Sequence, residues 1–141
     1  MIKSEQLIKQ DEGTKKKNGK HIPYKCSAGI LTIGYGRNLE KGISDQAAEF
    51  LFQEDMAEVR GQCVKFPWFR DLTEARQAVI ENMVFNLGLG TFLEFKNTIA
   101  LIENKKYEEA STNMLKSKWA TQVGPRAERL ALMMKTGEFN E

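Results

Sequence analysis

Apolar positions change their rhythm along the chain, and each change predicts an element. Ile2, Leu7 and Ile8 recur at roughly helical spacing ahead of Glu12. Gly13 follows directly, and glycine takes the left-handed cap conformation without strain, so a first helix is expected over residues 1–12. Between 13 and 39 the period shortens. Ile30 to Tyr35 is rich in β-branched and aromatic residues and flanked by glycines, which predicts a strand in an antiparallel sheet of short strands. Lys25 through Ala28 reads as a turn, and Arg37 onward leaves the last full strand. Ser44 is then a plausible N-cap, with Asp45 where a negative charge suits the helix dipole. Ala48, Leu51, Phe52, Met56, Val59 and Cys63 follow at steps of three and four, predicting a helix of roughly eighteen residues that ends near Cys63. Such a helix, between a small sheet and a helical remainder, reads as a connector between lobes.

Pro67 interrupts the pattern inside Phe66-Pro67-Trp68-Phe69, an apolar knot of core character. Thr73 can cap the next helix. From Ala75 to Leu87 the apolar positions surround the axis almost completely, as in a helix buried at the centre of its domain. Gly88 and Gly90 end it. Helices over about 92–103, 107–117 and 125–134 follow, with a turn at Trp119; Pro125 suits a first helical turn and Gly137 the position past a last cap. The fold class is therefore α+β, with a small sheet lobe and first helix over 1–43, a connecting helix over 44–63 and a helical lobe over 64–141, all in one domain.

Composition narrows the function classes. A chain of 141 residues with 41% hydrophobic and 28% charged side chains is an ordinary globular protein, and a net charge of +2 does not by itself argue for nucleic acid. Lysines concentrate at Lys15–Lys17, Lys20 and Lys25, which either favours an anionic polymer such as a cell wall or marks a solvated loop. Cys26 and Cys63 permit a disulfide without requiring one, and no zinc-type spacing or paired-cysteine motif is present. His21, the single histidine, lies in the lysine-rich stretch, a poor setting for Ser-His or Cys-His catalysis. No apolar run approaches a membrane span or a signal-peptide core, so no membrane insertion is expected, and the chain should stay in the cytoplasm unless another factor releases it.

The chemistry concentrates around Glu12. A carboxylate at a helix end facing a hairpin is a common way to build a cleft, and the bland alternative is an exposed glutamate. Thirteen residues separate Glu12 from Cys26, and five separate Cys26 from Thr32 in the strand Thr32-Ile33-Gly34-Tyr35-Gly36. This resembles the phage-type lysozymes, the endolysin muramidases of the T4 kind in glycoside hydrolase family 24. Their pattern is a glutamate, eight residues, an Asp or Cys, five residues and a threonine. The second spacing matches, and the first is longer by the basic stretch Lys15–Lys20. Further strings fall in the family's order: Asn82-Met83-Val84-Phe85-Asn86-Leu87-Gly88, Phe95-Lys96-Asn97-Thr98, Glu109-Ala110, Asn113, Lys116-Ser117-Lys118-Trp119, Arg126-Ala127-Glu128-Arg129 and Lys135-Thr136-Gly137. The likeness covers nearly the whole chain, apart from the basic insertion and a shorter join before Thr73.

What the resemblance implies is a lysozyme-like fold and hydrolysis of the β-1,4 bond between N-acetylmuramic acid and N-acetylglucosamine in peptidoglycan. Glycosidic cleavage needs a proton for the leaving oxygen and a group that manages the oxocarbenium-like centre on the other face. Glu12 takes the first role. Thr32 holds a water, and Cys26 is either a thiolate nucleophile or the group that places that water. Cleft residues map onto Asn38, Phe85, Thr98 and Asn113. Asn38 departs from the apolar residue usual there, Phe85 is either a sugar platform or core, and Asn86 is a further candidate because a polar residue is out of place on a buried helix. Arg126 matches an arginine that meets the catalytic glutamate from the other lobe. No metal or organic cofactor is implied, nor a nucleic-acid partner. The expected protein is a monomer that waits in the host cytoplasm for a holin. A transglycosylase, which needs no partner to position water, and an inactive glycan binder are the alternatives.

Overall fold

The computed structural model describes residues 2–140; Met1 and Glu141, the ends of the expected domain, lie outside the described residues. Contacts divide the chain into two units, residues 1–50 and 51–141, with the division falling inside the long helix.

In the first unit, α1 spans Lys3–Glu12 and buries none of its residues. Ile2, Leu7 and Ile8, the expected apolar stripe, are 66%, 58% and 57% exposed. Leu7 and Ile8 stand alone among Lys, Ser, Glu, Gln and Asp, so the helix offers too little apolar area to seat a face. Gly13 stops it with φ 69 and ψ −169. The positive φ is as expected, but the extended ψ lies outside the left-handed cap, in a region open essentially to glycine alone.

The lysine-rich stretch is a hairpin. β1 (Lys16–Lys17) pairs antiparallel with β2 (Lys20–His21), and the turn residues Asn18 and Gly19 both have positive φ, 52 and 78. This is the Asn-Gly geometry whose twist matches that of the flanking strands. A separate three-stranded antiparallel sheet follows in the order β3 (Tyr24–Lys25), β4 (Leu31–Ile33), β5 (Arg37–Asn38). Thr32 is flanked by Tyr24 on one side and Asn38 on the other. The strand expected over 30–35 is confined to 31–33, because Gly34 and Gly36 take positive φ and turn the chain. Lys25 belongs to β3 rather than to the turn, and Arg37 and Asn38 still pair.

α2 runs Asp45–Cys63, and Ser44 Oγ accepts from the Ala47 N–H at 3.1 Å as the expected cap. Of its apolar stripe only Val59 and Cys63 are buried, whereas Leu51 and Phe52 are exposed. A helix shared between two units cannot bury one continuous stripe in a single core.

The second unit is helical. α3 (Glu74–Leu87) is capped by Thr73, whose hydroxyl accepts from the Arg76 N–H, and it buries Ala75, Val79, Ile80, Met83 and Val84. Trp68 and Phe69 are buried, and Phe66 stacks on Trp68 at 4.8 Å, so the aromatic knot is core as read. The helix expected over 92–103 divides into α4 (Leu89–Phe92) and α5 (Lys96–Glu103); Gly90 lies inside α4 rather than ending α3. α6 is Tyr107–Leu115 and α8 is Pro125–Thr136, with Gly137 in the left-handed conformation behind it. Trp119 sits in a helix, α7 (Lys118–Val123), and not in a turn, because the Ser117 hydroxyl accepts from the Ala120 N–H and caps a new start.

Arg76 closes this unit. Its guanidinium donates from Nε to the Met134 carbonyl at 2.7 Å and from Nη2 to the Lys135 carbonyl at 3.0 Å, and it lies 3.8 Å over the Tyr107 ring. It thereby satisfies carbonyls at the negative end of α8. Arg76→Ala should destabilise the protein by about 2–3 kcal/mol, two charge-assisted bonds and a ring contact being lost together. A thermal melt within experimental error of wild type would contradict that role.

Candidate active site

Glu12 is the last residue of α1, where the Gly13 N–H bonds to the Lys9 carbonyl and the chain turns away. Its exposed carboxylate lies against the backbone of Gly36: a Cβ added there would stand 2.8 Å from Oε2 and 3.1 Å from Cδ. Gly36 also has φ +81. The backbone favours glycine there, and its missing Cβ lets the carboxylate rest where it does; the Gly-Tyr-Gly turn supplies both.

Cys26 and Thr32 come to the same place by hairpin geometry. β3 and β4 are joined through residues 26–30, where the Cys26 N–H bonds to the Ile30 carbonyl at 3.0 Å and the Gly29 N–H to the Cys26 carbonyl at 2.8 Å. This tight loop turns backbone N–H groups onto the sulfur. The N–H groups of Ile30 first, then Ala28, hold the Cys26 thiol below its ordinary value, and the Thr32 hydroxyl adds to the effect. Thr32 is buried, and its hydroxyl donates to the Ile30 carbonyl at 2.8 Å. With one proton to give, that hydroxyl serves either the carbonyl or the thiolate, and in both cases its oxygen remains free to accept from a water.

Glu12, Cys26, Thr32 and Asn38 line one pocket of about 490 Å³, with Asp11, Tyr24, Lys25 and Gly36. The five extra residues before Cys26 do not displace it, because they leave the sheet as the β1–β2 hairpin and return before Tyr24. Asn38 is half-buried, and its Oδ1 accepts from the Glu40 N–H at 2.8 Å, which leaves its amide NH2 to donate. Asp11, Tyr24, Lys25 and Gly36 were not among the expected site residues. Tyr24 reaches the pocket through its register opposite Thr32, which the sequence alone does not fix.

Gly36→Ala should fold but lose about 100-fold or more of any activity that depends on Glu12, since the methyl group pushes the carboxylate out of its place and the backbone prefers glycine. Wild-type turnover in this variant would show that the carboxylate's position is not what the reaction needs.

The remaining expected residues lie in the second unit, in more than one place. Thr98 and Asn113 are bonded to each other, Thr98 donating to Asn113 Oδ1, and they line a pocket of about 540 Å³ with Phe95, Lys96, Lys118 and Trp119. Asn86 is exposed, and its oxygen accepts from the Trp119 indole at 3.0 Å. Phe85 is 41% exposed and tilts against Phe52 at 5.7 Å, so it is not core. It lines a different pocket of about 380 Å³, with Met56, Glu81, Asn82 and Arg126. Arg126 donates from Nε and from Nη2 to Asn82 Oδ1, a partner that sequence reasoning missed. Cys63 is buried, and desolvation first and Glu81 second push its thiol up to about 12, so it is inert. Both cysteines are free. Among the described residues, no group of three or more His, Cys, Asp or Glu side chains could hold a metal ion.

Comparison with known proteins places these features in a family context. The phage lysozyme family model matches residues 9–133. The chain is similar to "Probable T4-type lysozyme 2" of Dictyostelium discoideum, 29% identical over 78% of this chain and 67% of that protein. It is similar to "Probable T4-type lysozyme 1" of the same organism, 32% identical over 70% of this chain and 60% of the relative. An endolysin of Acyrthosiphon pisum secondary endosymbiont phage 1 is 32% identical over 85% of this chain and 80% of its own length. The chain thus spans about two thirds or less of the two amoebal relatives.

Proposed function

The chain belongs to the phage lysozyme family, a family of peptidoglycan-hydrolysing glycosidases, and from that premise we propose that it cleaves the β-1,4 bond between N-acetylmuramic acid and N-acetylglucosamine with Glu12, Cys26 and Thr32. The observation that carries the reading is their convergence on one pocket, with the carboxylate seated against Gly36. Glu12 gives its proton to the glycosidic oxygen as the C1–O bond breaks. The Thr32 oxygen accepts one hydrogen of a water on the opposite face. The Cys26 thiolate, favoured by the N–H groups around it, lies beneath the developing positive charge and takes the proton that this water loses. One proton leaves Glu12 and one arrives at Cys26, and solvent exchange restores both.

In the same proposal, the Asn38 amide donates to the glycan near the reacting centre. Thr98 and Asn113 hold acetamido or hydroxyl groups in the second unit, with Phe85 and Asn86 as further glycan contacts. Arg126 acts on Glu12, as the family pattern has it. Action as a monomer, retention in the cytoplasm until a holin opens a path to the wall, and a role in host lysis rest on the endolysin likeness alone. Purified peptidoglycan should release new reducing ends and no new amino groups on incubation with the protein. New amino groups without reducing ends would mean that a peptide or amide bond is cut and would overturn the reading.

A further inference from the structure

The segment that follows Glu12 and carries most of the pocket wall is electrically unlike the rest of the molecule. Residues 13–39 contain six cationic side chains (Lys15, Lys16, Lys17, Lys20, Lys25 and Arg37) and no aspartate or glutamate. The chain as a whole has 21 cationic and 19 acidic residues, so the remainder carries a net charge of −4. Four of the six cations sit on the β1–β2 hairpin, all exposed, and none of these four forms an ion pair among the described residues.

This arm is a built element. Its Asn18-Gly19 turn fixes the twist, and the Ile22 N–H bonds to the Lys15 carbonyl at 3.0 Å to close its base. His21 ties it down on one face: its Nδ1 lies 2.8 Å from the Thr14 hydroxyl, and its ring meets the Tyr35 edge at 5.2 Å. Lys17 and Lys20 stand directly opposite each other across the ladder. Like charges in that position oppose pairing, so the free hairpin holds a repulsion that a bound anion relieves. The arm leaves the chain just after Glu12 and rejoins it just before Tyr24, both residues of the pocket wall. No lysine on it is more than about 18 Å of extended backbone from one of these two.

We propose that the β1–β2 hairpin is a docking arm for the carboxylates of the peptidoglycan stem peptide, which hangs from the muramic acid whose bond the pocket cleaves. This rests on the function proposed above and extends it from the glycan to its peptide. Carboxylates are the occupant that position favours over phosphodiesters. Lysine ammonium groups pair with phosphate as readily as with carboxylate, and position decides between them: the stem peptide is attached to the muramic acid held at the pocket, beside which the arm leaves and rejoins the chain. Lysine ammonium groups on flexible stems suit carboxylates spread along a mobile peptide. The competing explanation is that lysines merely blunt the exposed strand edges against self-association.

The test compares wild type with a variant carrying Lys15→Gln, Lys16→Gln, Lys17→Gln and Lys20→Gln on two substrates: intact peptidoglycan extracted free of phosphate polymers, and soluble glycan strands stripped of peptides by an amidase. Four exposed charge contacts are together worth on the order of a 10-fold change. The variant should lose about 10-fold in kcat/KM on intact peptidoglycan, through KM, and its activity there should depend less on salt. On peptide-free strands it should match wild type. Equal loss on both substrates, or no loss on intact peptidoglycan, overturns the proposal. A loss seen only with walls that retain phosphate polymers also overturns it and assigns the arm to those polymers. Self-association of the variant by light scattering, with unchanged kcat/KM, overturns it in favour of edge protection. If wild type cuts neither substrate, it is the functional reading that has failed, a result distinct from all of these.

Discussion

Glu12→Gln should fold with a wild-type melting curve and clear cell walls about 1000-fold more slowly. Glutamine keeps the shape of the side chain but has no proton to give, and positioned acid catalysis is worth roughly 100- to 10,000-fold. The fold should not suffer, because the Glu12 side chain is exposed and α1 buries none of its residues. Packing against Gly36 is available to the amide as to the acid. Turbidity clearing measured beside a thermal melt separates loss of chemistry from loss of structure. Near-normal clearing by the folded variant would remove Glu12 as the acid.

Cys26 gives the second large effect. Cys26→Ala should lose about 100-fold or more, and Cys26→Asp should stay substantially active, because the site requires an anion there rather than sulfur. The N–H groups of Ile30 and Ala28 that favour the thiolate are donors that a carboxylate can use as well. The pH dependence carries a sign. Thiolate is lost as pH falls through its lowered value, so the acid side of the wild-type rate profile should follow Cys26, and the aspartate variant should extend activity to lower pH. Thiol-blocking reagents should stop wild type and spare Cys26→Asp. If Cys26 takes a proton from water, the first sugar released has inverted configuration, which NMR reads before mutarotation; retention would make the sulfur a nucleophile. Full activity in Cys26→Ala would leave Glu12 and Thr32 to hold the water alone.

The pocket was legible in the sequence to the extent that local geometry builds it. A glutamate before a helix-stopping glycine, a strand threonine and a cysteine five residues upstream are all positioned by one turn and one hairpin. Capping was equally local, and Ser44, Thr73 and Pro125 act where their chemistry places them. Readings that needed a distant partner fared differently. Nothing in the neighbourhood of Gly36 names Glu12 as the group its missing Cβ makes room for, and the bond from Arg126 to Asn82 spans 44 residues. Thr98 and Asn113 meet across 15 residues, from two helices. Periodicity alone misled in α1 and in the first half of α2, since spacing shows a stripe but not whether anything covers it. The Asn18-Gly19 turn was a strong signal masked by its lysines, because strand reading weighs apolar alternation and this hairpin has none.

Delivery of water to a glycosidic carbon by the Glu12 pocket can be read by mass spectrometry of muropeptides released from purified peptidoglycan digested in ¹⁸O-labelled water. One ¹⁸O atom at the reducing end of each released muramic acid is the expected result, abolished by Glu12→Gln. Products lighter by one water, with anhydro ends and no label, would show that the muramic acid's own hydroxyl attacks in place of water.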